Sequence, residues 1–554
     1  MEWKRPWLAR NRVAGLALLL ASWQSLTQPS TALPEATLWP VDALAKVLRS
    51  AQPGEPRPDQ PRIQLRGARR EIVSGQAVFR SPREVVAAHP TLTDLRHRTS
   101  SHVLPAKAAR LQWVRYIDIT RNSDLPADER VAQAPASIPD PFWEAAAIPV
   151  KAGYAQPLWV EVHVPEDAPA GDYDGALQVE ADDARVELPV TLHVWNFTVP
   201  VERHLSVVNW WQFPGRGFEA HGPDDWDLLR RFAAFLVEHR QTDLATEIGR
   251  IRESGDAQQG YAYDTSRLER YAEVAFDAGI RQIHLHSVGR RTADILDPAC
   301  RVEPHEANLR RLGAWEKVIQ RRGWQRRFVV SIVDEPFVYY EDSYQAVVER
   351  VHAIAPSVRC LEAVETEYLG KLDVYVPKLS HLSLWYPRFD QVRREGAELW
   401  FYVCCHPLGR YPNRFLDQSL LKARVLFWIH YLYDLDGYLH WGLNYCTRDP
   451  QLLLATRQAI AEEIEALDTP PRLVVQTSPP EGKVVPAGPR AVNVRGLAPP
   501  GAKVTVNGEP VANDRASGYF CRAVFLGDRQ PTLTVVVEHE GRVARATRIF
   551  QLAD

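Results

Sequence analysis

The chain has 554 residues, 45% of them hydrophobic and 24% charged, with 66 basic side chains against 69 acidic ones and a net charge of −3. This balance belongs to folded globular protein and excludes disordered, collagen-like and mucin-like chains. The absence of a long basic block excludes nucleic acid as an expected partner, and after residue 30 no apolar run reaches the ~18 residues needed for a stable membrane span.

Lys4, Arg5, Arg10 and Arg12 precede an apolar run over 13–21, and the polar stretch that follows ends in Ser30-Thr31-Ala32. A basic start, a short apolar core and small residues at the end predict a signal peptide over 1–32 and a secreted or periplasmic bacterial protein. Export permits disulfides. The six cysteines are scattered; a Cys405–Cys446 bridge between strand ends and free buried thiols both fit the pattern. Without a CxxC pair, an HExxH motif or a histidine cluster, no metal or cofactor is expected.

Residues 33–203 read as a β-sandwich. Val160, Val162 and Val164 alternate with polar residues, a turn falls at 167–171, and strands follow at 176–180 and 186–195. From 204 to 468 the rhythm changes to alternating strands and helices. Strands are expected at 205–210, 244–245, 283–286, 328–333, 358–364, 373–376, 399–404 and 437–441, with helices at 224–239, 265–278, 342–354 and 416–433. Eight strands with helices between most of them predict a central (β/α)8 TIM-like barrel. Residues 469–554 read as a small immunoglobulin-like β-sandwich, in which Asn507-Gly508 forms a type I′ hairpin turn. The fold class is therefore a multidomain chain with a TIM-like barrel flanked by two β-sandwiches.

The fourth strand ends in Asp334-Glu335-Pro336. The C-terminal ends of barrel strands are where such barrels place their active sites. Two carboxylates a few ångströms apart cannot both ionise freely, so one is kept protonated near neutrality. A protonated Glu335 beside an ionised Asp334 combines an acid with a charge stabiliser; an ordinary Asp cap with an exposed Glu is the plain alternative. Aromatics gather at the same strand ends: Trp210 and Trp211 after the first, Trp385 and Tyr386 after the sixth, Trp441 and Tyr445 after the eighth. Sugar rings stack their C–H faces on such platforms. Trp428, on a helix, is expected in the core. Asn209, Tyr402, His406 and Asn444 are candidate hydrogen-bonding residues by their place at strand ends. His284 and His286, on the third strand, are either inward-pointing or satisfied buried histidines.

Asp334-Glu335-Pro336, the run Leu399-Trp400-Phe401-Tyr402-Val403-Cys404-Cys405-His406-Pro407, then Pro412-Asn413, Arg424 with Trp428, and the segment from Asp436 to Asn444 together resemble glycoside hydrolase family 123. The stretch from Leu158 to Tyr173 resembles that family's β-sandwich, so the resemblance runs over about 60–470. It implies a retaining β-N-acetylgalactosaminidase acting on an oligosaccharide or glycoconjugate. It also implies substrate-assisted catalysis, in which the 2-acetamido oxygen attacks the anomeric carbon. Asp334 would then hold the amide N–H, and Glu335 would protonate the leaving oxygen and later deprotonate water. Two other readings stand beside this one. The first is a two-carboxylate retaining glycosidase with Glu362 or Glu365 as nucleophile; the second is a catalytically silent carbohydrate-binding envelope protein.

Overall fold

The computed structural model describes residues 35–443 and 473–552, apart from 55–60, 144, 183, 211–212, 214–221, 223, 295–296, 298, 338–339, 367–369, 480, 486–489, 515–517, 528–530 and 540–541. The signal-peptide segment, Trp211, Asn444, Tyr445 and Cys446 fall outside the described residues.

The N-terminal part packs two sheets face to face. One is ordered Thr37–Val41, Ile72–Arg80, Gln156–His163, Ala109–Ile119, Ala136–Trp143. The main path of the other is Ile63–Arg69, Ala184–Thr198, Gly171–Ala181, Val85–Leu92, Ile148–Val150. The valine alternation is explained by this packing: Val160 and Val162 from one sheet meet Val190, Leu192 and Val194 from the other in a single core.

A closed barrel of eight parallel strands follows. They are β1 (Ser206–Asn209), β2 (Asp243–Glu247), β3 (Gln282–His286), β4 (Phe328–Val330), β5 (Arg359–Val364), β6 (Val374–Pro377), β7 (Glu398–Tyr402) and β8 (Gly437–His440). Six α-helices connect them: α1 (Trp226–Glu238), α2 (Ser266–Asp277), α3 (Glu306–Arg322), α4 (Glu341–Ile354), α5 (Leu379–Arg394) and α6 (Leu420–Tyr433). They follow β1 to β4, β6 and β7. No helix separates β5 from β6 among the described residues, in keeping with helices expected between most of the strands and not all of them.

The period of two along each strand builds two cores. Inward residues Val208, Val329, Leu361, Ala363, Val374, Val376, Trp400 and Leu439 fill the barrel. Outward residues such as Val207, Ile283, Leu285, Phe328 and Phe401 meet the helices in a larger cluster. Trp400 fits because β8 begins at Gly437, where an added Cβ would lie 2.4 Å from the indole ring. Trp428 is not core: it is 63% exposed on α6, beside exposed Phe427, Tyr431 and Leu432. That helix is apolar nearly all round, so composition alone does not tell its barrel-facing side, which holds Leu426 and His430, from its outer one.

The C-terminal part encloses a third core between a three-stranded sheet (Val474–Ser478, Ala491–Leu497, Tyr519–Phe525) and a four-stranded one (Glu509–Val511, Lys503–Val506, Thr532–His539, Arg542–Ile549). Asn507 and Gly508 adopt φ of 51° and 84°, the backbone of the expected I′ hairpin.

Candidate active site

The C-terminal ends of the barrel strands open into a cavity of about 630 Å³. That volume suits a small organic ligand. Both Asp334 and Glu335 line it. Adjacent side chains on an extended chain point to opposite sides. Glu335 breaks that alternation with a left-handed φ of 48°. Such a backbone costs a non-glycine residue about 1–2 kcal/mol, and here it accompanies two neighbouring carboxyl groups turned into one space.

The segment after β4 is held from behind. The apolar run over 328–333 is a ladder strand only as far as Val330: the Ser331 N–H still donates to the Leu285 carbonyl of β3 at 3.1 Å, but those of Ile332 and Val333 leave the sheet. Ile332 and Val333 donate to Glu362 Oε2 at 3.0 and 3.1 Å, Ser331 Oγ donates to its Oε1 at 2.9 Å, and the Tyr344 hydroxyl donates to its Oε2 at 3.1 Å. Glu362 is 1% exposed and lies on β5, its carboxyl between the segment after β4 and Tyr344 of α4, and it does not line the cavity. Burial and the nearby Asp334 push its carboxyl up to about 8.

Glu335 faces a different set of groups. The Tyr402 hydroxyl donates to its Oε1 and lies 3.3 Å from Glu365 Oε1. Glu365 is fully buried and ion-paired with Lys378, itself buried just after β6. Burial raises the Glu335 carboxyl, but Lys378, the Tyr402 hydroxyl and Arg495 outweigh it and hold the group below its ordinary value. Asp334 opens onto the cavity yet lies deep in the bowl of the molecule. Burial, then the charge on Glu335, raise it to about 7. Asp334 is therefore the more readily protonated of the pair, the reverse of the assignment expected from sequence. The cation whose charge most lowers Glu335 is Lys378, just after β6, a residue that sequence reading missed.

The other expected residues divide clearly. Trp210, Tyr402 and Trp441 line the cavity. The Trp210 ring stands edge-on to His286, 4.6 Å between centroids, and His286 also lines the cavity. Burial lowers His286 to about 4, so it is neutral. His284, one layer deeper, pairs with buried Asp243 at 3.0 Å. His406 lies behind the cavity wall, 5.6 Å from the Tyr519 ring, and burial lowers it to about 4.

Asn209, Trp385 and Tyr386 are corrected. The Asn209 amide donates to Gln241 at 2.6 Å and accepts from Arg414 at 2.9 Å, so it braces the barrel rim and does not line the cavity. Trp385 is 3% exposed inside α5, packed on His381. Tyr386 packs on Tyr433 in the helical layer. Pro387 within α5 obscures its helical pattern, which is why both aromatics read as loop residues.

Glu247 and Arg250 complete the polar rim, and Cys404 and Cys405 line the wall after β7. Arg250 donates to Thr246 Oγ1 at 2.6 Å and to the Phe213 carbonyl at 3.2 Å. Extending the second strand from 244–245 to Glu247 would have put that glutamate at a strand end, where barrel sites form. Among the described residues, Cys405 has no disulfide partner.

Two family models match the chain. The glycoside hydrolase 123 N-terminal domain covers residues 48–181, and the glycoside hydrolase 123 catalytic domain covers 305–462. Together they take in just over half of the sequence. Among solved structures, a family 123 glycoside hydrolase from Clostridium perfringens, studied for glycolipid glycan hydrolysis, aligns with a TM-score of 0.58 at 14% identity over 74% of this chain and 78% of its own. A Bacteroides uniformis β-glucuronidase 2 mutant aligns at 11% identity over 89% of this chain and 60% of its own, with a TM-score of 0.27. No curated protein matches.

Proposed function

The chain belongs to glycoside hydrolase family 123 and is a glycosidase, and on that premise we propose that it is an exported, retaining β-N-acetylhexosaminidase of the β-N-acetylgalactosaminidase type that uses the substrate's own acetamido group as nucleophile. The carrying observation is the pair Asp334 and Glu335, both turned into one cavity. The substrate class follows the Clostridium perfringens relative: a glycan on a lipid or another glycoconjugate. We read the barrel as TIM-type from its eight parallel strands, and the C-terminal sheets as immunoglobulin-like from their two-layer packing.

The proton on the pair decides the chemistry. An acetamide N–H that gains positive charge as the ring forms is held best by an ionised acceptor, so its docking on Asp334 favours transfer of the shared proton to Glu335. The acetamido oxygen then bonds to C1, the glycosidic bond breaks, and the leaving oxygen takes the Glu335 proton. Glu335, now ionised, removes a proton from water as the water oxygen bonds to C1 and the oxazolinium ring opens. The acetamide is restored and the anomeric configuration retained. Trp210 and Trp441 line the same mouth, where aromatic rings suit the C–H faces of a sugar.

Neither Glu362 nor Glu365 supports a protein nucleophile, since both are buried and held by other groups. Glu247 is the other carboxylate on the cavity wall, with a value raised by burial, and it carries the competing two-carboxylate reading. A thiazoline mimic of the cyclic intermediate separates the two. Strong competitive inhibition, with turnover of aryl N-acetylgalactosaminides and not of plain hexosides, is expected. Absence of inhibition together with loss of all activity in Glu247→Gln would transfer the nucleophile's role to Glu247.

A further inference from the structure

The three-stranded sheet of the C-terminal part has a buried outer face. Along Ala491–Leu497, Val492 and Val494 enter the sandwich core, while Asn493 and Arg495 point the other way and are equally buried. Tyr519 and Cys521, on the adjacent strand, pair with Leu497 and Arg495 and share that face. All four meet the barrel at Glu365. Asn493 Nδ2 donates to the Glu365 backbone carbonyl at 2.7 Å, the Tyr519 hydroxyl donates to Oε2 at 3.4 Å, and Arg495 Nη1 lies 3.7 Å from the same oxygen. The Cys521 thiol is 3.9 Å from it. This part of the chain lies beyond both family-matched stretches.

We propose that the C-terminal sandwich is a working part of the catalytic centre, with Arg495 as a positioning residue that holds the Glu365–Lys378 pair and sets which protons the Asp334–Glu335 pair keeps. This deepens the glycosidase mechanism above and rests on it. The physical ground is a charge count in a buried cluster. Lys378 and Arg495 balance Glu365 and Glu335. The remaining titratable and charged groups facing the Asp334–Glu335 pair are Tyr402 at the end of β7, Cys404, Cys405 and His406 after it, Tyr519 from the sandwich, and Arg291 and Glu362 on the Asp334 side, with His381, kept neutral by burial, beside Lys378 and Arg495. Burial keeps His406 neutral, so it does not replace a lost cation. Removing the Arg495 charge makes the cluster one unit more negative, and added negative charge in a buried site is relieved by proton uptake on a carboxylate.

The test uses the full chain with Arg495→Met and Arg495→Gln, which remove the charge with different packing demands, and Arg495→Lys, which keeps it. Two readouts are taken. One is the pH profile of kcat/KM on an aryl N-acetylgalactosaminide. The other is infrared titration of the carboxyl band, assigned with Asp334→Asn and Glu335→Gln. In both neutral variants the alkaline limb and the carboxyl titration are expected to move up by about one pH unit, with Arg495→Lys returning both toward wild type. A uniform loss of rate with an unmoved profile and an unmoved carboxyl band overturns the proposal. A wild-type protein inactive on every glycoside tested, whose carboxyl band nevertheless moves in the neutral variants, overturns the functional reading and leaves the electrostatic role of Arg495 supported.

Discussion

At the scale of single residues, the site is a question of where one proton sits. Between the low value of Glu335 and the value of about 7 at Asp334, the pair holds a single proton. That proton is available below about pH 7 and is lost as the pH rises through it, because both carboxylates are then ionised in the free enzyme. The expected result is a kcat/KM that falls about tenfold per unit above pH 7 for substrates with poor leaving groups, which a pH series on a natural glycan would check. Glu335→Gln removes the deliverable proton. It is expected to cost about 10²–10⁴-fold on such substrates and much less on activated aryl glycosides. On the proposed mechanism Asp334→Asn removes the acceptor for the acetamide N–H, and it is expected to slow both classes alike. Near wild-type rates in Asp334→Asn would strip that residue of its assigned role.

At the scale of elements, what the sequence disclosed and what it hid follow one physical line. Features set by local periodicity were legible. The alternation of Val160 and Val162, the start of the apolar strand at Phe328 and the hairpin at Asn507-Gly508 all lie in the elements expected of them. Features set by partners distant in sequence were not. The end of β4 at Val330 depends on Glu362, about thirty residues later in the chain, whose carboxyl group takes two backbone N–H groups out of the ladder. The role of Lys378 depends on Glu365 and on a sandwich more than a hundred residues away. Glu362 offers a direct check. Glu362→Gln keeps an oxygen for the Ile332 and Val333 N–H groups and turns its amide toward Ser331. It is expected to fold with activity largely intact, which a nucleophile would not allow. Glu362→Ala leaves buried donors without acceptors, at about 1–3 kcal/mol each. Urea unfolding is expected to show that loss, together with reduced activity as the Asp334 turn loosens. Equal, complete inactivation in both variants would revive Glu362 as a chemical participant.

At the scale of the whole molecule, the barrel mouth is gripped from two sides. The C-terminal sandwich reaches Glu365 and His406. The N-terminal sandwich holds the segment between β7 and α6, which carries Cys404 and Cys405 into the cavity wall. Asp417 Oδ2 accepts from Asn122 Nδ2 at 3.0 Å and from the Ser123 N–H at 2.8 Å, and the Val131 N–H donates to the Asp417 carbonyl at 2.9 Å. Lys46 donates to the Leu416 carbonyl at 2.7 Å. Arg410 and Lys422 add ion pairs to Asp128 and Glu129, of which the Arg410 contacts are largely exposed and weak. Within the same segment Asn413 donates to the Cys404 carbonyl at 3.0 Å, and Arg414 reaches Asn209 on β1. The two grips act by different physics. Arg495 brings a charge to the catalytic cluster, whereas Asp417 is a buried mechanical tie remote from the shared proton. Asp417→Ala takes the acceptor from the Ser123 N–H, while Asn122 Nδ2 keeps its bond to the Ala132 carbonyl, and is expected to cost about 1–3 kcal/mol in urea unfolding. It should lower kcat/KM through a higher KM, with the pH limbs unmoved, because the wall shifts while the charge count stays the same. A displaced alkaline limb in Asp417→Ala would mean that the wall and the proton are one coupled device, and that the N-terminal sandwich, like its C-terminal counterpart, tunes the acid pair.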